Sequence, residues 1–284
     1  MSESDGLPLE HARLYRGIID SHFHSIELRR KGVDADALLS WCFSNGMDAA
    51  LDISVDAADV DERLALADRF PRLSVAAGYY PSEASRFAAN PTEAQKMQDL
   101  LQHHLSSGRI AAVGEIGIDR HHDGPPLGEQ LRLFAAQVEL AAAYGLPVVI
   151  HNREADDEVL EVLRSAAPPR GGIMHCFSSS AAYASKCIDL GFLISFAGNV
   201  TFRNATVLQE SARTIPLRSL LVETDAPYLA PQPVRGRINH PGYIGHTYEF
   251  LAGLRRESID ELVAGVADNY YRLLGSSGFG GKRE

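Results

Sequence analysis

The chain has 284 residues, 45% of them hydrophobic and 23% charged, which suits one large globular domain or two small ones. Its formal net charge of −10 argues against a surface that holds long nucleic acid through its own field, so a phosphate substrate would need local cations. The three cysteines, Cys42, Cys176 and Cys187, lack CxxC spacing and exclude a disulfide framework or a thiolate zinc site.

Residues 1–16 read as an N-terminal extension, and the first fifteen are too polar and acidic for the apolar segment of a signal peptide. Short apolar, β-branched runs then recur at residues 17–20, 49–54, 73–77, 111–114, 147–150, 172–174, 192–195 and 220–222, eight strand candidates in all. Between them the apolar spacing is helical, as in Leu131, Phe134, Val138 and Ala142, or Leu160, Val162 and Leu163. Residues 204–214 form a further helix candidate, and 242–254 followed by 259–274 predict a helical close to the chain. The tail, 275–284, lacks apolar residues to bury and is expected to fray.

This alternation implies βαβ units and a parallel sheet. Eight strands could form an open doubly wound sheet, but their number and the polar side chains that follow the apolar runs favour closure into a barrel, where those side chains converge at one rim. The expected fold class is therefore α/β, a (β/α)8 TIM barrel forming a single domain over residues 17–274. No apolar run approaches the roughly 20 residues needed to span a bilayer. With so few cysteines, a reducing compartment, the cytoplasm, is the expected location.

The chemistry-bearing residues sit at these strand ends. The first strand reads GIIDSHFH, so His22 and His24 lie two residues apart and leave the same side of an extended chain. The fourth is followed by GEIGID, where Gly114 and Gly117 flank Glu115 in what reads as a glycine-lined turn permitting close approach. His151 and His175 end the fifth and sixth strands. The eighth leads into LLVETDAPYLAP, in which Glu223 and Asp225 share one face. Taken singly, His151 or His175 reads equally well as a satisfied core histidine. Jointly, several polar groups would have to end buried strands by accident. An all-N/O set suits Zn²⁺, Mn²⁺ or Co²⁺, and one carboxylate between two histidine groups points to two ions.

The segments DSHFH, GEIGID, IHNR, HCFS, SFAGNVTF and VETDAPYLAP, in this order over nearly the whole chain, resemble the TatD family of metal-dependent deoxyribonucleases. The resemblance implies two divalent ions (Zn, Mn or Mg), one surrounded by His22, His24, Glu115 and Asp225, the other by Glu115, His151 and His175. It implies a supporting place for Glu223 behind the ligands. It also implies DNA, or another phosphodiester, as substrate, attacked from an end, with no membrane or obligate protein partner. The chain departs from the family pattern at GYYP, where Tyr80 stands in place of the usual histidine before the proline, and after GEIGID, where Arg120, His121 and His122 replace a tyrosine pair.

Among the catalytic candidates Asp225, Glu115 and Glu223, Asp225 is the expected general base, and direct attack by water requires no protein nucleophile. Cys176 reads as a buried strand residue. Arg153, Arg203, Arg235, Arg237 and Asn239 are the candidate phosphate contacts, and Phe196, Phe202 and Tyr228 could stack on a base. Two other readings keep the barrel: hydrolysis of a small ester, amide or lactone, which the acidic charge favours, and a catalytically silent binding module.

Overall fold

Eight strands pair in sequence order, every one parallel to its neighbours: β1 (Ile18–Phe23), β2 (Met47–Ile53), β3 (Leu73–Ala77), β4 (Ala112–Asp119), β5 (Val148–Arg153), β6 (Gly172–Met174), β7 (Phe192–Phe196) and β8 (Leu220–Val222). The structure, a computed structural model, describes residues 9–275, so the expected tail beyond Gly275 and the first eight residues of the extension lie outside the described residues.

Helices join the strands: α1 (Ser25–Arg30), α2 (Ala35–Ser44), α3 (Val60–Arg69), α4 (Ala84–Ala88), α5 (Pro91–Ser106), α6 (Leu127–Tyr144), α7 (Asp156–Ala166), α8 (Ala181–Asp189), α9 (Thr206–Thr214), α10 (Ile244–Arg255) and α11 (Ile259–Leu274). Their starts are chemically marked. Asn90 accepts from the Glu93 N–H ahead of Pro91, and Ser258 and Glu261 cap α11 reciprocally. None of the described helices is long and apolar enough to cross a membrane.

The ring is a (β/α)8 barrel whose last seam closes differently from the rest. Between β1 and β8 the ladder is reduced to a bridge from Phe23 to Ala226. Side chains complete it. Asp20 Oδ1 accepts from the Thr224 N–H (2.9 Å) and Oδ2 from its hydroxyl (2.7 Å), while Ser21 Oγ donates to the Val222 carbonyl (3.1 Å). Asp20 is fully buried, and that burial pushes its carboxyl up to about 7.

Three strands run at least three residues further than the apolar runs predict: β1 to Phe23, β4 to Asp119 and β5 to Arg153. Pairing resumes beyond an irregularity in both β1 and β4, at Phe23 opposite Asp52 and over 116–119 opposite 150–153, and this keeps the polar ends extended. Glu115 thus stands within a strand, not in a turn. A register irregularity between Val113 and Ile116 marks the place. The flanking glycines are required there: a Cβ on Gly114 would stand 2.5 Å from Val149 Cβ, and one on Gly117 (φ 144°) 2.0 Å from the His151 carbonyl oxygen.

Residues 9–16 are strapped onto the α10 side: the Arg13 N–H donates to Gly242 O (2.7 Å), Gly245 N–H donates to Arg13 O (3.0 Å), and Arg13 pairs with Glu249 (2.7 Å).

Candidate metal centre

At the C-terminal mouth of the barrel the structure brings together His22, His24, Glu115, His151, His175, Glu223 and Asp225. His22 Nε2 and His24 Nε2 are 3.1 Å apart. Glu115 Oε2 lies 3.5 and 3.7 Å from those nitrogens, and Asp225 Oδ1 lies 3.7 and 3.4 Å from them. Donors around one tetrahedral zinc, at about 2.0–2.1 Å each, stand roughly 3.3–3.4 Å apart. The other oxygen of Glu115, Oε1, faces the second pair: 2.8 Å from His151 Nδ1 and 2.8 Å from His175 Nε2, themselves 3.3 Å apart. One carboxylate therefore spans two donor groups.

The far nitrogens fix the near ones. His24 Nδ1 donates to the Ile53 carbonyl (2.9 Å), which can only accept, so its Nε2 carries the lone pair of the neutral ring. By the same logic His175 Nδ1 donates to Glu223 Oε1 (3.2 Å) and His151 Nε2 donates to Asp119 Oδ2 (3.2 Å). This is the arrangement that orients imidazole ligands on a metal.

The charge balance asks for a cation. Glu115 and Glu223 are buried and Asp225 nearly so, and among the described residues no lysine or arginine forms an ion pair with any of them. Burial alone would raise the Glu115 carboxyl, but His175, His151 and His22 hold it well below the usual range. Burial would likewise lower His24, yet Asp225 and Glu115 push it up to about 9, and the same competition, led by Glu115 and Glu223, carries His175 well above its ordinary value. His22 goes the other way, through burial and the charge of His175. The site pulls positive charge inward, and its three anchored imidazoles and shared carboxylate fit divalent ions, while the Nδ1 of the fourth, His22, has no hydrogen-bond partner among the described residues.

The backbone at Asp225 is in the left-handed region (φ 55°), which aspartate tolerates better than most residues. Its N–H donates to the His22 carbonyl (2.9 Å). Glu223 is fully enclosed, with Oε1 held by His175 and by the Cys176 N–H (2.7 Å), which is a supporting place. Cys176 lies in the turn after β6 (φ 43°), not in a strand, and burial followed by Asp225, Glu223 and Glu115 pushes its thiol well above the ordinary range. It is poorly suited to act as a nucleophile.

The candidate phosphate contacts divide. Arg153, at the end of β5, is partly buried beside Arg120 and Ser179, and its Nε has no hydrogen-bond partner among the described residues. Arg203 and Arg235 are exposed on the loops after β7 and β8, with the Arg235 guanidinium 4.4 Å over the Phe202 ring. Arg237 is engaged by Glu10 (2.8 Å). Asn239 departs from the expectation. It is fully buried, donating to the carbonyls of Thr224 (2.8 Å) and Tyr228 (2.5 Å) and accepting from the His240 N–H (3.0 Å), so it ties the loop after β8 together.

Two groups were not singled out from the sequence. Asp119 receives the Tyr80 hydroxyl (2.9 Å), His151 and His122 Nδ1 (2.7 Å) on one oxygen; burial would raise its carboxyl, but the bonds from His151, His122 and the His121 N–H outweigh it and hold the group far below the usual range. A signal existed, since Glu115, Gly117 and Asp119 alternate along one strand face. The second is Arg63, fully buried and paired with Asp52, with Asp59 (2.9 Å) and with Glu27 (3.1 Å). Asp52 also accepts from the N–H (3.0 Å) and hydroxyl (2.5 Å) of Ser25, next to His24. The signal was an arginine on the apolar stripe of α3, between Val60 and Leu64.

A family model described as TatD-related DNase matches residues 19–275. The chain is similar to the uncharacterized metal-dependent hydrolase YabD of Bacillus subtilis, 30% identical over 90% of this chain and 98% of that one. It is 41% identical to the uncharacterized metal-dependent hydrolase TatD of Mycobacterium tuberculosis over 66% of this chain and 75% of that one. Among solved structures it resembles the TatD homolog YjjV from Escherichia coli, with a TM-score of 0.83 and 31% identity, covering 91% of this chain and 98% of that one.

Proposed function

The chain belongs to the family of TatD-related DNases and is a metal-dependent hydrolase; on that premise we propose that it is a cytoplasmic deoxyribonuclease that removes nucleotides from an end of DNA with two divalent ions. The observation that carries this reading is the split of the Glu115 carboxylate, one oxygen toward His22 and His24 and the other toward His151 and His175. Two such ions, when bound, supply Lewis acidity, offsetting phosphodiester charge and making water nucleophilic near neutral pH. The cytoplasmic placement is supported by three free thiols.

The protein's own groups do the rest. In this reading Asp225 takes the proton of the attacking water, which its 8% exposure at the mouth supports. Glu223 and Asp119 hold the rings of His175 and His151 in one orientation. Arg153 offers a donor to a phosphate oxygen, with Arg203 and Arg235 further out on the same rim. Arg237 would first have to leave Glu10.

Digestion of end-labelled single-stranded DNA tests the reading. Stepwise shortening with Mg²⁺, Mn²⁺ or Zn²⁺, absent after chelation, is expected. A second reading, a small ester or amide substrate, is favoured by the net charge of −10. DNA left intact by metal-loaded protein that hydrolyses small esters would establish it instead.

Asp119→Asn should weaken binding of one ion by roughly 10–100-fold and spare the other, because only His151 loses its anchor. Calorimetric titration of metal into the chelated protein reads this directly, and two unchanged affinities would reduce Asp119 to a loop brace.

A further inference from the structure

Resting on the nuclease reading, we propose that Tyr228 is the platform on which a nucleobase next to the scissile phosphate stacks. Three aromatic side chains were candidates for this role, and the fold separates them. Phe196 is fully buried in the core, and the ring of Phe202 lies under the guanidinium of Arg235. Tyr228 is 48% exposed.

A single exposed aromatic residue is ordinary. The position of this one is not. It follows Asp225 by three residues, and its ring lies 6.1 Å from that of His24, edge to face. A base resting on it would therefore border the group of donors formed by His22, His24 and Asp225.

Its backbone is held while its ring stays open. The Tyr228 N–H donates to Asp225 O (2.9 Å) and its carbonyl accepts from the buried Asn239 amide. That fixed support lowers the entropic cost of ordering a stacked base. Stacking is indifferent to base identity, because every base has a π-face.

The test reads binding apart from cleavage. A short single-stranded DNA with a 2-aminopurine at its terminal nucleotide and phosphorothioate linkages is titrated with the metal-loaded protein, alongside an abasic counterpart. Stacking should quench the 2-aminopurine fluorescence. Tyr228→Ala should lose the quenching and bind the base-bearing strand on the order of 10–100-fold more weakly, the range that removal of a stacking aromatic costs. Tyr228→Phe should restore both, and all three proteins should bind the abasic strand alike. Equal loss on both strands, or quenching that survives in Tyr228→Ala, would overturn the assignment, as would no binding by wild type. Binding and quenching without cleavage of ordinary DNA would sink the nuclease reading and leave the platform standing.

Discussion

Asp225→Asn is expected to leave a folded barrel that still takes up metal yet turns over its substrate about 10²–10⁴-fold more slowly, the contribution of a positioned general base. Asparagine keeps the size of the side chain and tolerates the left-handed backbone at this position (φ 55°), so the N–H to His22 O should persist. What it lacks is a basic oxygen at the place where Asp225 Oδ1 stands 3.4 Å from His24 Nε2. Single-turnover rates with metal content measured on the same samples decide the matter. A wild-type rate would put the base elsewhere, and loss of metal in step with activity would make Asp225 a ligand and nothing more. Glu223→Gln separates the two roles: its enclosed Oε1 reaches only His175 and the Cys176 N–H and cannot meet the substrate, so any loss of rate there should follow metal content.

Arg63→Met should produce the largest loss of stability, about 3–5 kcal/mol, or a fall in melting temperature on the order of 10 °C. The arginine is fully buried among Asp52, Asp59 and Glu27, and its removal strands the buried Asp52 without a counter-charge. Replacing Asp52 by leucine as well should recover part of the loss, since two apolar groups cost less than one unpaired charge. A thermal melt of the single and double variants reads both claims. If the single variant melted with wild type, the cluster would be ornamental to folding. Because Asp52 also holds Ser25, the single variant should further loosen the start of α1 and blur the position of His24.

The barrel was legible because its signals are local. Apolar runs of β-branched residues alternate with helical spacing, and each run needs only its neighbours to be read. The cluster at the mouth was legible for a related reason: a histidine or carboxylate at the end of a buried strand is costly to desolvate without a partner, and the fold brings these groups together. What escaped is what depends on distant partners. The extension of β4 to Asp119 follows from pairing with β5, where Gly117 meets His151 and Asp119 meets Arg153; the alternation within GEIGID is compatible with a strand but does not by itself distinguish it from a glycine-lined turn. Asn239 looked like a phosphate contact because it sits in a basic loop, yet its carboxamide is spent on carbonyls eleven and fifteen residues away. Arg63 was hidden among surface charges: its place on the apolar stripe of α3 is a local hint, but two of the acids that pair with it, Asp52 and Glu27, come from distant segments.

The seam between β1 and β8 has a consequence for biosynthesis. His22 and His24 leave the ribosome about two hundred residues before Asp225, and the backbone link from Asp225 N–H to His22 O joins the two ends of the barrel. A nascent chain therefore displays two imidazoles long before it owns the aspartate beside them. The first group of donors, His22, His24 and Asp225, is complete only once the two ends of the barrel have met.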